Sequence, residues 1–185
     1  MNKFILGKKI GMTTVYDEKG AQNLTLIECF SKVSLLRTKE KDGYESVQIS
    51  LQKTGKRAVR KEFRIENSTW KTGDEISVEL FLPGEKVFVT GITKAKGFQG
   101  VVKRHGFKGG PKSHGHKHNL RAPGSIGSGF PEHVTKGKRM AGRMGGTKAT
   151  SQNLKIILVD KEKKIIGVKG AVPGIAGTVV AVYKK

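Results

Sequence analysis

A single cysteine, Cys29, stands in 185 residues. One thiol cannot form an internal disulfide, so burial must hold the fold, and the chain suits a reducing compartment. Cys29 itself reads as a small apolar residue inside a strand. Acids are also scarce: 15 Asp and Glu against 36 Lys and Arg leave a formal net charge of +21. That excess is far beyond what solubility requires and implies a polyanionic partner, with nucleic acid ahead of an anionic membrane. Long apolar runs are missing as well. No stretch approaches the ~18 residues of a spanning helix, and no basic helix carries a sustained apolar face, which argues against the membrane. The opening "MNKFILGKKIGMTTVYDEKG" has too short an apolar stretch for a secretory signal and meets lysines at once. The expectation is a protein kept in the cytoplasm.

What is present divides unevenly. A chain of this length can bury about 70% of its unfolded surface in one core, and a second full domain is not expected. Residues Lys94 to Lys148 hold 13 Lys and Arg but one acid, Glu132, a net +12 in 55 residues. The same segment holds 13 of the 25 glycines, three of the five prolines and all five histidines. Three parts are therefore expected: 1–93 and 149–185 forming one globular unit, and 94–148 a basic excursion between them.

Outside the excursion, apolar residues recur with period two between turn signals, which predicts strands. "MTTVY" and "NLTLIECF" flank Asp17 to Gly20, and "KVSLLRT" and "YESVQISLQ" flank Lys41-Asp42-Gly43, so two hairpins are expected. In "SVQISL" and "EISVEL" Val47, Ile49 and Leu51, and Ile76, Val78 and Leu80, alternate with polar residues. Such strands bury one face and wet the other. "KVFVTGIT", "NLKIILVD", "KIIGVKG" and "TVVAVY" add further strands. Short strands at this spacing suggest a mainly β fold, a closed or nearly closed small barrel, with a sandwich as the alternative. Helix is sparse: "GFQGVVKRHGF" predicts about two turns around Phe98 to His105, and Arg57 to Arg64 is ambiguous.

A structureless insert of such length in a compact domain is usually functional or disordered. Phe98, Phe107, Phe130, Met140 and Met144 stand singly among its cations. Isolated large side chains with no periodic face cannot build a core, but they can stack on bases or fill pockets of a folded RNA. Glycine permits close approach to a phosphate or base, and Pro111, Pro123 and Pro131 stiffen an extended path. The excursion is thus read as holding its shape against RNA, with Lys96, Lys103, Arg104, Lys112, Lys117, Arg121, Lys136, Lys138, Arg139 and Arg143 on phosphates. His105, Phe107, His114, His116 and His118 are candidates for stacking or hydrogen bonding, joined by Phe98 and Met140. "GSIGSG", with Gly124, Ser125, Gly127 and Ser128, is the close-approach loop. Lys8 and Lys9 are assigned to the globular unit's own RNA face.

Other chemistries fit less well. His114, His116 and His118 alternate as zinc ligands can, but no cysteine or acid lies near them and Lys117 would repel a dication. No metal or other cofactor is expected. Glu132–His133 is the one acid–histidine neighbour pair, and no serine or cysteine sits in a nucleophile elbow or triad pattern. "GSIGSG" lacks the lysine and Ser/Thr ending of a nucleotide-binding loop. No enzymatic activity is expected. A general RNA-binding or annealing protein is the alternative of a different class.

The residues also carry a resemblance. "GKKIGMT" at Gly7 to Thr13, "GFQGVVKRHGF" at Gly97 to Phe107, "SHG" at Ser113 to Gly115, "RAPGSIG" at Arg121 to Gly127, "KGKRMAGRMG" at Lys136 to Gly145 and "VKGAVPG" at Val168 to Gly174 resemble the bacterial form of the large-subunit ribosomal protein three family. The resemblance implies a six-stranded translation-protein-type β-barrel and a long extension, matching Lys94 to Lys148, that threads large-subunit rRNA toward the peptidyl transferase centre. It implies early action in subunit assembly and contact with ribosomal proteins fourteen and nineteen. Two departures stand out: Ser128 occupies a position where many bacterial relatives carry a glutamine, methylated in some, and Leu51 to Phe63 is shorter than in relatives with an insertion there.

Overall fold

The structure is a computed structural model that describes residues 3–18, 20–52, 58–65 and 69–184. Twelve strands are present among them: β1 (Phe4–Asp17), β2 (Gly20–Cys29), β3 (Ser31–Arg37), β4 (Ser46–Gln52), β5 (Ala58–Arg64), β6 (Glu75–Ile76), β7 (Lys86–Ile92), β8 (Phe98–Gln99), β9 (Gly142–Arg143), β10 (Lys148–Asp160), β11 (Ile165–Lys169) and β12 (Val179–Tyr183). Helix is limited to α1 (Lys39–Asp42), α2 (Val101–His105) and a 3₁₀ turn at Val78–Leu80. The chain is mainly β, as its periodicity predicts. By backbone proximity it divides into two compact units, residues 1–93 with 148–185, and residues 94–147.

In the first unit, six antiparallel strands pair in the order β1-β12-β7-β10-β11-β2, and β2 pairs back to β1, closing the ring. A closed ring leaves no strand edge among its members unpaired. The β1–β2 hairpin closes at Asp17↔Gly20, where Gly20 takes φ +107°, a backbone conformation open to glycine. Lys19 of that turn lies outside the described residues. A second sheet has the order β5-β4-β3-β6. Its β3–β4 hairpin turns through α1, which ends at Gly43 in the left-handed conformation with φ +78°.

Both sheets share one core. Ile5, Leu6, Ile27, Ile156, Ile166 and Val180 of the ring pack in the same cluster as Val33, Val47, Ile49 and Ile76 of the second sheet. The rings of Phe4 and Phe63 stack at 4.7 Å, joining β1 to β5. Each fully buried aliphatic side chain contributes about 1.5–3 kcal/mol. Glu85 adds a polar tie: one carboxylate oxygen accepts from Lys3 at 2.7 Å and Lys184 at 3.2 Å, and the other from the Leu82 N–H at 3.3 Å.

Three local expectations change. "EISVEL" is not a continuous strand: the Ser77 hydroxyl accepts from the Glu79 N–H at 3.2 Å and caps the 3₁₀ turn, so pairing stops at Ile76. "GFQGVVKRHGF" forms one short helix, because Phe98–Gln99 is taken into strand pairing and Gly106 ends α2 with φ +75°. The ambiguous stretch is strand β5 over Ala58–Arg64, while Arg57, with the rest of 53–57, lies outside the described residues.

Candidate nucleic-acid interface

Ile92 of β7 and Lys148 of β10 are cross-strand partners, so the ring opens and resumes the basic segment at adjacent points of one ladder. Within the segment, a two-stranded ribbon forms its neck: Phe98 pairs with Arg143 and Gln99 with Gly142. The ribbon continues through Lys96 N–H to the Met144 carbonyl and Met144 N–H to the Gly97 carbonyl, both at 2.9 Å. Gly145 makes this possible. At φ +71° any β-carbon there would sit 1.9 Å from the Lys94 carbonyl oxygen, a contact no side chain can make.

Helix α2 follows directly, with Val101 buried and Arg104 turned toward the ribbon. Arg104 Nη1 donates to the Met140 carbonyl at 2.6 Å, and His105 Nε2 to the same oxygen at 3.0 Å, which puts the imidazole proton on Nε2. Gly142 leaves room for the guanidinium, since a β-carbon there would lie 2.7 Å from Nη1. The His105 and Phe107 rings lie 5.9 Å apart at 43°. Beyond them the Gly110 N–H donates to the carbonyl of Leu120 at 3.0 Å, narrowing the segment a second time. Arg104 is therefore placed by an internal contact as well as by its charge, which the sequence pattern does not reveal. Gly142 and Gly145 belong to the same scaffold and are not among the expected site residues; the available signal is three glycines within the six residues of "AGRMGG".

From Pro111 to Ala141 every residue except Ala122 is exposed. Lys112, His114, His116, Lys117, His118, Arg121, Gly124, Ser125, Gly127, Ser128, Lys136, Lys138, Arg139 and Met140 all lie in this stretch, and Lys96, Phe98, Lys103 and Arg143 are exposed at or near the neck. Phe107 is half-buried. Ser125 donates its hydroxyl to the Gly127 carbonyl at 2.9 Å, curling the "GSIGSG" loop. Among the described residues no lysine or arginine of 94–147 forms an ion pair; all seven ion pairs lie in the other unit. The positive field of the segment is uncompensated. Among the described residues no three or more His, Cys, Asp and Glu side chains gather as a metal site, and no helix is long and apolar enough to cross a membrane.

Lys9 departs from its assignment to an RNA face. It is 9% exposed, and its ammonium donates to the carbonyls of Val172 at 2.8 Å and Gly174 at 3.0 Å. Its backbone joins the same segment, with Gly177 N–H donating to the Lys9 carbonyl at 2.7 Å. "GKKIGMT" and "VKGAVPG" are thus two halves of one structural joint. Gly7 serves the neighbouring β1–β2 packing, since a β-carbon there would lie 2.4 Å from the Ile27 side chain. Lys8 is half-buried beside it.

Residues 94–147 thus present an exposed cationic surface in which, among the described residues, no lysine or arginine is ion-paired. The family description "Ribosomal protein L3" matches residues 49–169. The large ribosomal subunit protein uL3 of Roseiflexus sp. (strain RS-1) is 45% identical over 203 aligned positions, covering 97% of this chain and 96% of that protein. The uL3 of Herpetosiphon aurantiacus is 44% identical, covering 97% and 95%. That of Vibrio parahaemolyticus is 42% identical, covering 94% and 93%. With the family match spanning most of the chain and full-length relatives above 40% identity, the chain belongs to the ribosomal protein L3 family.

Proposed function

We propose that this protein is a structural, non-catalytic constituent of the large ribosomal subunit that binds large-subunit rRNA through residues 94–148 and acts early in subunit assembly in the cytoplasm. The observation that carries the reading is the basic segment itself: cations exposed along its length, none ion-paired among the described residues, on a neck fixed by Arg104 and Gly145. Phosphate neutralisation would offset both the self-repulsion and the ordering entropy of so open a chain. In this reading the closed ring is the family's translation-type β-barrel, and the segment is an extension directed toward the peptidyl transferase region. Lys8, Lys96, Lys103, Lys112, Lys117, Arg121, Lys136, Lys138, Arg139 and Arg143 meet phosphates. His114, His116 and His118 stack or hydrogen-bond, and Gly124 to Ser128 make the closest approach. Ribosomal proteins fourteen and nineteen are its protein neighbours.

The test is crosslinking in cells, with crosslinks mapped from the peptides of Lys94 to Lys148. Concentration at a few large-subunit rRNA positions around the peptidyl transferase region is expected. Crosslinks scattered over mRNA and tRNA would favour a general RNA-binding protein. In vitro, contact with roughly eight phosphates gives a log affinity for rRNA that falls by about 6 per decade of salt, and a flat dependence would overturn the electrostatic account.

A further inference from the structure

The two faces of the neck ribbon are unequal. Directly opposed residues of an antiparallel pair share a face, so Gln99 and Gly142 form one and Phe98 and Arg143 the other. The first is half-buried and lies against the Arg104 guanidinium. On the second, Phe98 is 77% exposed and Arg143 is exposed. The Arg143 guanidinium leans toward Gly146, with Nη2 3.5 Å from the position a β-carbon would take there. Among the described residues neither an aromatic ring nor a cation packs on Phe98. An aromatic ring is thus held bare to water, beside an arginine with no acid partner among the described residues, on backbone paired across the ribbon.

We infer that the Phe98–Arg143 face of the neck is a seat for a single unpaired nucleotide, its base stacked on the Phe98 ring and its phosphate held by the Arg143 guanidinium. The inference rests on the rRNA reading above. Every nucleobase offers a flat π face, so the seat is tolerant of sequence and needs only an unpaired base. Its stiffness is what separates it from Phe130. That ring is 87% exposed but lies in a stretch without strand pairing. At Phe98 the backbone is already fixed by the ribbon, so little further ordering opposes the contact. The two residues also divide the work in a way that salt can separate, because stacking releases no counterions and a phosphate contact does.

The experiment measures binding of the full-length protein to in-vitro-transcribed large-subunit rRNA across a salt series. Phe98→Leu is expected to lose roughly tenfold in affinity, within the range of one lost base stack, with an unchanged salt slope. Phe98→Tyr keeps a π face and should bind as the wild type does. Arg143→Ala should weaken binding and lower the salt slope by roughly 0.7–0.9. Wild-type affinity in Phe98→Leu, with strong salt-dependent binding retained, would overturn the seat and leave the rRNA reading standing. Failure of the wild type to show salt-dependent rRNA binding would overturn that reading, and the seat with it.

Discussion

Arg104 Nη1 donates to the carbonyl oxygen of Met140 at 2.6 Å, joining helix α2 to a residue 36 positions further along the chain. With the His105 imidazole on the same oxygen and the backbone ladder beside it, this bond helps to hold the neck of the basic segment. Replacing Arg104 by Ala should widen the neck without unfolding the ring. The Lys96 and Met144 amides, which donate across it, should exchange with solvent faster, and rRNA binding should weaken by no more than the ~1.5–3 kcal/mol of one charge-assisted hydrogen bond. Unchanged exchange at those amides would show that Arg104 does not hold the neck.

Two glycines of the segment should separate folding from binding. Gly145→Ala puts a methyl on the Lys94 carbonyl and should disrupt the neck, seen as lost amide protection at Met144. Gly127 has nothing within 4 Å of its would-be β-carbon, so Gly127→Ala should leave the free protein unchanged in circular dichroism and amide exchange. If the loop approaches RNA closely, the same substitution weakens rRNA binding. Equal binding by Gly127→Ala and wild type would mean that the loop does not make that approach.

Lys9→Met should lower stability by about 1.5–3 kcal/mol, since its ammonium holds two backbone carbonyls in a nearly dry setting. Calorimetry should show a fall in Tm of several degrees, with the rRNA salt slope unaltered. Lys8→Met should leave Tm near the wild-type value. Matching Tm values for the two variants would remove Lys9 from the joint.

How legible this was in the sequence depended on what each residue's neighbours do. The hairpin at Asp17 to Gly20 could be read because turn and alternation agree, and Cys29 could be read as buried because a lone thiol in an apolar strand has little else to do. Lys9 departs from its expected exposure for a reason local pattern does not carry. Phe4 to Gly7 are all buried, so strand parity does not separate Lys9 from Lys8. The carbonyls that draw it in, Val172 and Gly174, lie 163 and 165 residues away. The neck could not be read at all. Its partners, Arg104 with Met140 and Gly145 with Lys94, lie 36 and 51 residues apart, and neither composition nor local periodicity carries such pairings.

Glu85 gives a pH dependence of definite sign. The Lys3 ammonium, then the Leu82 N–H and the Lys184 ammonium, hold its carboxyl below the ordinary glutamate range. A carboxyl with a depressed folded pKa stabilises the fold above its unfolded pKa, about 4.3, and that share is lost as pH falls through the folded value. Urea unfolding at pH 7 should therefore find Glu85→Gln less stable than wild type, with the gap narrowing as pH falls below about 4. A gap that stays constant to pH 2 would show that the ion pairs do not contribute.

Cys29 should be chemically silent in the folded protein. It is 2% exposed, and burial, followed by the nearby Glu28 charge, pushes its thiol well above the ordinary range. Iodoacetamide at pH 8 should label it in urea and not in native buffer, because the thiolate is the reactive form. Rapid native labelling would mean that the end of β2 opens readily.

The order of strands in the ring also bears on how the molecule is made. β12, Val179–Tyr183, is inserted between β1 and β7, both of which are synthesised long before it. A nascent chain can pair β1 with β2 early, but the gap between β1 and β7 stays open until Val179–Tyr183 has emerged. By then all of residues 94–147 have been exposed to solvent. During translation the cationic segment is thus available to a polyanion before the hydrophobic core that carries it is sealed. Pairings so distant in sequence close slowly, and a partner that engages the segment in that interval acts on an unfinished fold.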